Sequence, residues 1–277
     1  MNKKQESPPA KAAGEIGGAP SRAPAEAPGD AGEGRISRTL LFYERPVPLN
    51  RETHRDLRLR DHPGDFSFAR CTNSIPVAGI EFPEACRDYP IVFAGTSPAA
   101  SIPTVLVGLR ADENLFVGSD GRWEPVYVPA FVRRYPFVLA EKPEPGDFTV
   151  CVDEGYPGLG TGEGEPLFDE QGKETPPLQR ALQFLGEFQG QMQRTREFVE
   201  RLASMDLLQP KVIQVAPKDA AAFVLQGVFV VDEARLREVD DAALRTLFDA
   251  GELGWIYAHL ISLANINSLT LRLDRRH

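Results

Sequence analysis

Arg133 and Arg134 are consecutive, and an apolar run, 137–140, follows them. Where a strand begins, successive side chains point to opposite faces. One of the two is therefore expected to turn inward, and an unpaired buried charge is costly. The expected structural partner is Glu84 or Asp88. The alternative is an anionic ligand, because a guanidinium can grip an anion through two parallel N–H bonds. Asn114, Trp123 and Tyr156 join Arg133 and Arg134 as candidate ligand-binding residues. The rings of Trp123, Tyr127 and Tyr156 could floor such a pocket, although core packing is their ordinary role.

Other chemistries find less support. His54-Arg55-Asp56-Leu57 has the opening of a kinase catalytic loop, but the downstream Asn and the glycine-rich nucleotide loop are missing. His54, Asp56, Asp61, His62 and Asp65 are metal-ligand types. Arg51, Arg55, Arg58 and Arg60 lie among them, so a solvated charged segment is expected. The loop Gly155–Gly164 is rich in glycine, but Glu163, Glu165, Asp169 and Glu170 oppose a phosphate there. It reads as a plain loop, with a lid over a site as the alternative. No Gly-x-Ser-x-Gly elbow exists, and His259 sits in an apolar stretch where a core histidine is the default. Cys71, Cys86 and Cys151 form no Cys-x-x-Cys pair and are expected to be reduced and mostly buried. No catalytic residue, metal or cofactor is assigned.

The elements that must position these residues are short strands and a few helices. Residues 66–69, 91–93, 104–109, 137–140 and 148–152 read as strands. Residues 80–93 align without gaps to 126–139, pairing Pro83 with Pro129, Arg87 with Arg133 and Tyr89-Pro90 with Tyr135-Pro136. Proline suits the first turn of a helix, and the residue before a proline is pushed out of α geometry. Each copy therefore reads as strand end, helical turn and new strand, and the two units are expected to pack together.

Leu178, Leu182, Leu185, Phe188, Met192, Val199 and Leu202 form an amphipathic stripe with one gap, at Thr195. Gly186 and Gly190 weaken that helix and could admit another backbone. Residues 211–216 and 222–231 flank a turn at 217–219 and read as a hairpin. Asp232 and Asp240 are N-cap candidates, and a buried last helix is expected over about 255–266. The fold class is α+β. It combines a mostly antiparallel sheet from the two quasi-repeated units, one long amphipathic helix, a hairpin and a C-terminal helical segment. Residues 1–36, rich in Ala, Gly and Pro, read as a disordered tail, and 37–277 as one globular domain.

The 277 residues carry 40 acidic and 31 basic side chains, a net charge of −9. That balance disfavours nucleic acid, whose binding needs a basic surface, and polybasic membrane anchoring. No stretch approaches the ~20 apolar residues needed to span a bilayer. Met1–Lys4 is basic but no apolar run follows, so no secretory signal is expected and the cytoplasm is the expected compartment. Specialised export to the surface is the other option.

From Arg45 onward the chain resembles the SapC family. The resembling stretches include Pro48-Leu49-Asn50, Phe66-Ser67-Phe68-Ala69, Glu81-Phe82-Pro83 and Tyr89-Pro90-Ile91-Val92-Phe93. Glu113-Asn114-Leu115-Phe116, Gly121-Arg122-Trp123, Arg133-Arg134-Tyr135-Pro136-Phe137 and Tyr257-Ala258-His259-Leu260 continue it. The family takes its name from a bacterial surface-layer locus and has no established catalytic residues. A permease label carried by some members does not suit a chain without a membrane span. Members are often encoded near flavin-dependent halogenase-like enzymes, cupin-like proteins and TonB-dependent receptors. The resemblance thus implies a non-catalytic accessory or binding protein with a protein partner, in a surface-layer, uptake or peptide-modification pathway. Candidate partners are a halogenase-like enzyme or an outer-membrane receptor system. The alternative is an uncharted enzyme or enzyme subunit acting on a peptide or amino acid, with a pocket where the repeats meet the glycine-rich loop.

Overall fold

The computed structural model describes residues 40–60, 64–124, 126–142, 146–216, 218 and 222–276, together with the backbone of Gly14–Glu15. Most of the Ala/Gly/Pro-rich tail, Asp61, His62 and part of the 217–221 turn lie outside the described residues.

The strands, in chain order, are β1 (Gly14–Glu15), β2 (Pro46–Pro48), β3 (Arg58–Leu59), β4 (Ser74–Pro76), β5 (Ile91–Ala94) and β6 (Ile102–Leu106). They continue with β7 (Phe137–Glu141), β8 (Phe148–Asp153), β9 (Leu159–Gly160), β10 (Glu165–Pro166), β11 (Leu208–Val215) and β12 (Phe223–Val231). The helices are α1 (Phe82–Ala85), α2 (Ala130–Arg133), α3 (Pro176–Ser204), α4 (Glu233–Leu236), α5 (Asp241–Asp249), α6 (Glu252–Ser262) and α7 (Asn265–Arg275). The result is an α+β architecture.

The largest sheet runs β11-β12-β5-β6-β4 with antiparallel neighbours, and β1 lies parallel beside β12. A second antiparallel sheet runs β2-β8-β7, and a third, of two-residue strands, runs β10-β3-β9. The expected hairpin is β11–β12, with Val215 opposite Phe223. Pro210 is tolerated in β11 because that strand is an edge and need not donate on its outer side.

Both copies of the repeat show the expected short helix, Tyr-Pro step and new strand, but neither begins on a strand end: Gly79–Glu81 is a 3₁₀ turn and residues 126–129 are not a strand. Pro83 sits in the first turn of α1 and Pro129 immediately precedes α2. Their strands part company, however: β5 joins the large sheet and β7 the second one. The Tyr135–Pro136 bond is cis. The units are joined by Glu81, a buried carboxylate of the first copy. Its Oε1 accepts from the Ala130 amide at 2.7 Å and the Tyr127 hydroxyl at 2.8 Å, and its Oε2 accepts from the Ala78 amide at 2.8 Å.

Helix α3 buries Leu178, Leu185, Phe188, Phe198, Val199 and Leu202. Thr195, the gap in the apolar stripe, is buried as well. Its hydroxyl donates to the Gln191 carbonyl at 2.6 Å and accepts from the Gly79 amide at 2.8 Å. A polar residue stands there because a backbone donor of a neighbouring turn ends against the helix. Gly186 and Gly190 admit no second backbone, since a Cβ at either would meet nothing within 4 Å.

Three further readings change. Residues 67–69 form a 3₁₀ turn rather than a strand, because Asp65 Oδ1 accepts from the Ser67 amide at 3.0 Å and turns the chain. The C-terminal segment is two helices, α6 and α7, instead of one. Helix α6 buries Trp255, Ile256 and His259 but exposes Tyr257 and Ile261, so it is not covered all round. The thiols also differ: Cys151 is buried, Cys86 half-buried and Cys71 exposed.

Helices α4 and α5 begin where cap chemistry predicts. Asp232 accepts from the Ala234 and Arg235 amides, and Asp240 from the Ala243 amide. Gly251 has φ of 73° and takes the left-handed turn between α5 and α6. His259 then fixes α6 to the sheet. Its Nδ1 lies 2.9 Å from the Ile91 carbonyl, and its Nε2 accepts from the Val231 amide at 3.0 Å. The Ser262 hydroxyl accepts from the Ile91 amide at 2.9 Å. One helix thus satisfies both backbone groups of the first residue of β5.

Candidate functional site

Among the described residues, a partly enclosed concavity lies between the two larger sheets and α3. It is a cleft of about 190 Å³. The large sheet contributes Pro76, Ile102 and Pro103, and the second sheet Val138, Leu139 and Phe148. From α3 come Phe188, Met192, Thr195 and Val199. Phe131 of α2 and Arg134 close one end, and Glu141, Gln189 and Arg196 also line the cleft.

Arg134 is placed by the second repeat. Its guanidinium lies 3.8 Å over the Phe131 ring and 5.4 Å from that of Phe188, with Tyr43 at 5.9 Å. Such stacking is electrostatically favourable for a cation. Burial lowers the Arg134 pKa, while the electrostatic interaction with Tyr43 opposes that shift. The Tyr43 hydroxyl donates to the Phe137 carbonyl at 2.7 Å, and burial pushes its own pKa up to about 12. Tyr43 therefore stays protonated, and its hydroxyl is fixed to the start of β7 beside Arg134.

Among the candidate residues, Arg134 alone lines the cleft. Arg133 is exposed; its Nε donates to the Val128 carbonyl at 3.0 Å, and it lies 5.2 Å over the Phe184 ring. Asn114 is buried away from the cleft. It donates to the Ala69 carbonyl at 3.0 Å and accepts from the Phe116 amide at 2.9 Å. The Trp123 indole donates to the Tyr89 hydroxyl at 3.0 Å, a core bond. Tyr156 packs edge-on against Tyr135 at 5.3 Å. The acidic partners expected for the arginines are engaged elsewhere: Glu84 bridges Arg87 at 3.1 Å, and Asp88 accepts from the Tyr127 amide at 3.4 Å.

The glycine-rich loop does not reach the cleft. Thr161 of that loop borders an open surface depression with Arg55, Arg58, Asp56, Asp169 and Glu170. The α3 half of the cleft escaped the reading of the sequence. Its only trace there is the polar gap at Thr195 beside Met192 and Val199.

Among the described residues, the buried histidines and carboxylates outside the cleft are bonded within the fold. His54 Nδ1 accepts from the Asn50 amide at 2.9 Å. Asp153 accepts from the Glu44, Arg45 and Gly155 amides at 2.9, 2.8 and 2.9 Å and from the Tyr135 hydroxyl at 3.2 Å. Glu252 is held by Arg201 through bonds of 3.0 and 2.6 Å. Among the described residues, no group of three His, Cys, Asp or Glu could hold a metal ion. No helix among them is long and apolar enough to cross a membrane.

Fold and site together define an α+β protein with two main, mostly antiparallel sheets and a long helix, between which lies a small cleft lined largely by apolar side chains, with Arg134 and Arg196 in its wall. The family model for SapC matches residues 49–269, most of the chain, and the chain belongs to the SapC family. Comparison with curated proteins and with solved structures found no match.

Proposed function

We propose that this chain is a non-catalytic binding protein whose inter-sheet cleft takes a small ligand. The observation that carries the reading is a cleft of about 190 Å³ lined largely by apolar side chains, with a few polar ones, Arg134, Gln189, Thr195 and Arg196 among them. Ligand sites are typically apolar concavities with a few placed polar groups. The commitment of His54, His259, Glu81, Asp153 and Glu252 to backbone or ion-pair bonds supports binding over acid–base catalysis.

We further propose that the chain serves a protein partner in a bacterial surface-layer, uptake or peptide-modification pathway. This part rests on the family's usual gene neighbours.

Native mass spectrometry of the protein purified gently from its own host tests the reading. The expected result is a small-molecule mass on the wild type that Val138→Phe, which fills the cleft, removes. Turnover of a copurifying compound that is abolished by substituting one polar residue overturns the non-catalytic reading. A small-molecule mass retained by Val138→Phe overturns the assignment of the cleft.

A further inference from the structure

We infer that the exposed side of α6 and α7 is an interface between two copies of this chain, packed antiparallel about a two-fold axis at Ala264. The inference is independent of the cleft.

Residues 253–271 contain no Asp, Glu, Lys or Arg, although 26% of the chain is charged. They make up most of α6 and the first part of α7. Leu263 and Ala264, between the two helices, keep right-handed helical angles, with φ of −60° and −61° and ψ of −24° and −26°. One side of this helical path turns inward and buries Trp255, Ile256, His259, Ser262 and Leu269. The other side exposes Tyr257, Ile261, Ala264, Ser268 and Leu271, at successive steps of four, three, four and three. That alternation holds one side of a helix against a second helix. Tyr257, Ile261 and Leu271 are 46%, 66% and 58% exposed. Large apolar side chains in a charge-free patch match the centre of an interface rather than ordinary surface.

The order of the side chains identifies the occupant. Tyr257 and Leu271 each stand seven positions from Ala264. Turning a second copy end for end about Ala264 sets Tyr257 of one copy against Leu271 of the other. It sets Ile261 beside the small Ser268, and the two Ala264 methyl groups meet on the axis, where the backbones approach closest. Large side chains thus meet small ones along the path, which is how facing positions interdigitate. A two-fold pair requires a self-complementary pattern of this kind, and an unrelated partner does not.

Charge points the same way. Two copies each carrying a net −9 repel wherever their charged surfaces meet. A neutral face lets them approach without that cost. A membrane surface would be met by Lys and Arg flanking the apolar side chains, and 253–271 has neither. A path of this length is about 28 Å long and about 10 Å wide. Such a strip falls short of the ~800 Å² per partner of a standard interface. The dimer is therefore expected to be reversible, with a dissociation constant in the micromolar range.

The test is sedimentation velocity of the full chain over a dilution series spanning the micromolar range. Wild type is expected to pass from dimer to monomer on dilution. Ile261→Glu puts a like charge into both faces and is expected to weaken the dimer at least about a hundredfold. Tyr257→Glu and Leu271→Lys are each expected to be monomeric at concentrations where wild type is dimeric. Mixed in equal amounts, these two variants are expected to dimerise again, because the antiparallel register sets position 257 of one copy against position 271 of the other. An unchanged circular dichroism spectrum shows that each variant is folded.

A wild type that stays monomeric throughout the series overturns the inference. So does a dimer that survives Ile261→Glu. A mixture that remains monomeric overturns the antiparallel register, and with it the two-fold axis at Ala264. A wild type that is monomeric alone but leaves its host bound to a different protein, released by Ile261→Glu, assigns the face to that protein and overturns self-association.

Discussion

The carboxylate of Glu81 accepts a hydrogen bond from the amide of Ala130 at 2.7 Å, joining two halves of the chain that resemble each other in sequence. The same carboxylate takes the Ala78 amide and the Tyr127 hydroxyl. Three donors converge on one buried acid, and α2 begins where it does because Glu81 receives its first amide. Helix α2 in turn leads directly into Arg134, so the cleft is aligned through Glu81.

Glu81→Ala leaves two amides buried without acceptors. Each such loss costs about 1–3 kcal/mol, so a decrease of about 3 kcal/mol in unfolding free energy is expected, measured by urea titration at pH 7. Glu81→Gln keeps the shape and one acceptor oxygen and is expected to cost less. A Glu81→Ala protein as stable as wild type would show that the repeats are held together by other contacts.

Much of this arrangement was legible in the sequence, and the unread part has a common cause. Asp232 and Asp240 were recognisable as caps because cap chemistry is local: the side chain bonds an amide two or three residues on. The Tyr-Pro repeat was recognisable because proline restricts its own backbone and that of its predecessor. Arg134 could be singled out by type and position, but its surroundings could not. Phe188 and Met192 reach it from a helix some fifty residues away, and periodicity says which helix face is apolar without saying what it meets. Residues 66–69 misled because two phenylalanines at alternate positions imitate a strand, while Asp65 holds the chain in a turn.

The exposed glycines of α3 offer a second test. Gly186 and Gly190 face open space, and a methyl group at either meets nothing within 4 Å. Alanine is favoured over glycine by about 1 kcal/mol inside a helix. Gly186→Ala and Gly190→Ala are each expected to stabilise the chain by about that amount in chemical denaturation, and the double variant by roughly the sum. A destabilised single variant would contradict the open surface seen at these positions.

Arg201 and Glu252 tie α3 to the start of α6. Glu252 is fully buried, and two short bonds to Arg201 balance its charge. Removing one member of such a pair strands the other, at a cost of about 3–5 kcal/mol. Arg201→Met is therefore expected to lower stability by that amount. Arg201→Met with Glu252→Gln is expected to recover part of it, because no buried charge remains. A thermodynamic cycle over the two singles and the double measures the coupling. Strict additivity of the two losses would show that the pair is not energetically linked.

His259 makes stability depend on pH, and the sign follows from its environment. Burial holds its pKa at about 4, against the ordinary 6.5, with the bond to Ile91 pulling weakly the other way. In the folded chain Nε2 accepts from Val231, so the proton of the neutral ring sits on Nδ1 and faces the Ile91 carbonyl. Protonating Nε2 destroys the Val231 bond. The unfolded chain therefore binds a proton in a range where the folded chain refuses one. The stabilisation is fully present above pH 6.5 and is lost as pH falls toward 4. That gap is worth about 3 kcal/mol. Urea titrations at pH 7, 5.5 and 4.5 should show the decline in wild type. His259→Gln should be less stable at pH 7 and have a flatter profile across the same interval. An equally steep decline in His259→Gln would place the proton uptake on another group and remove His259 from the account.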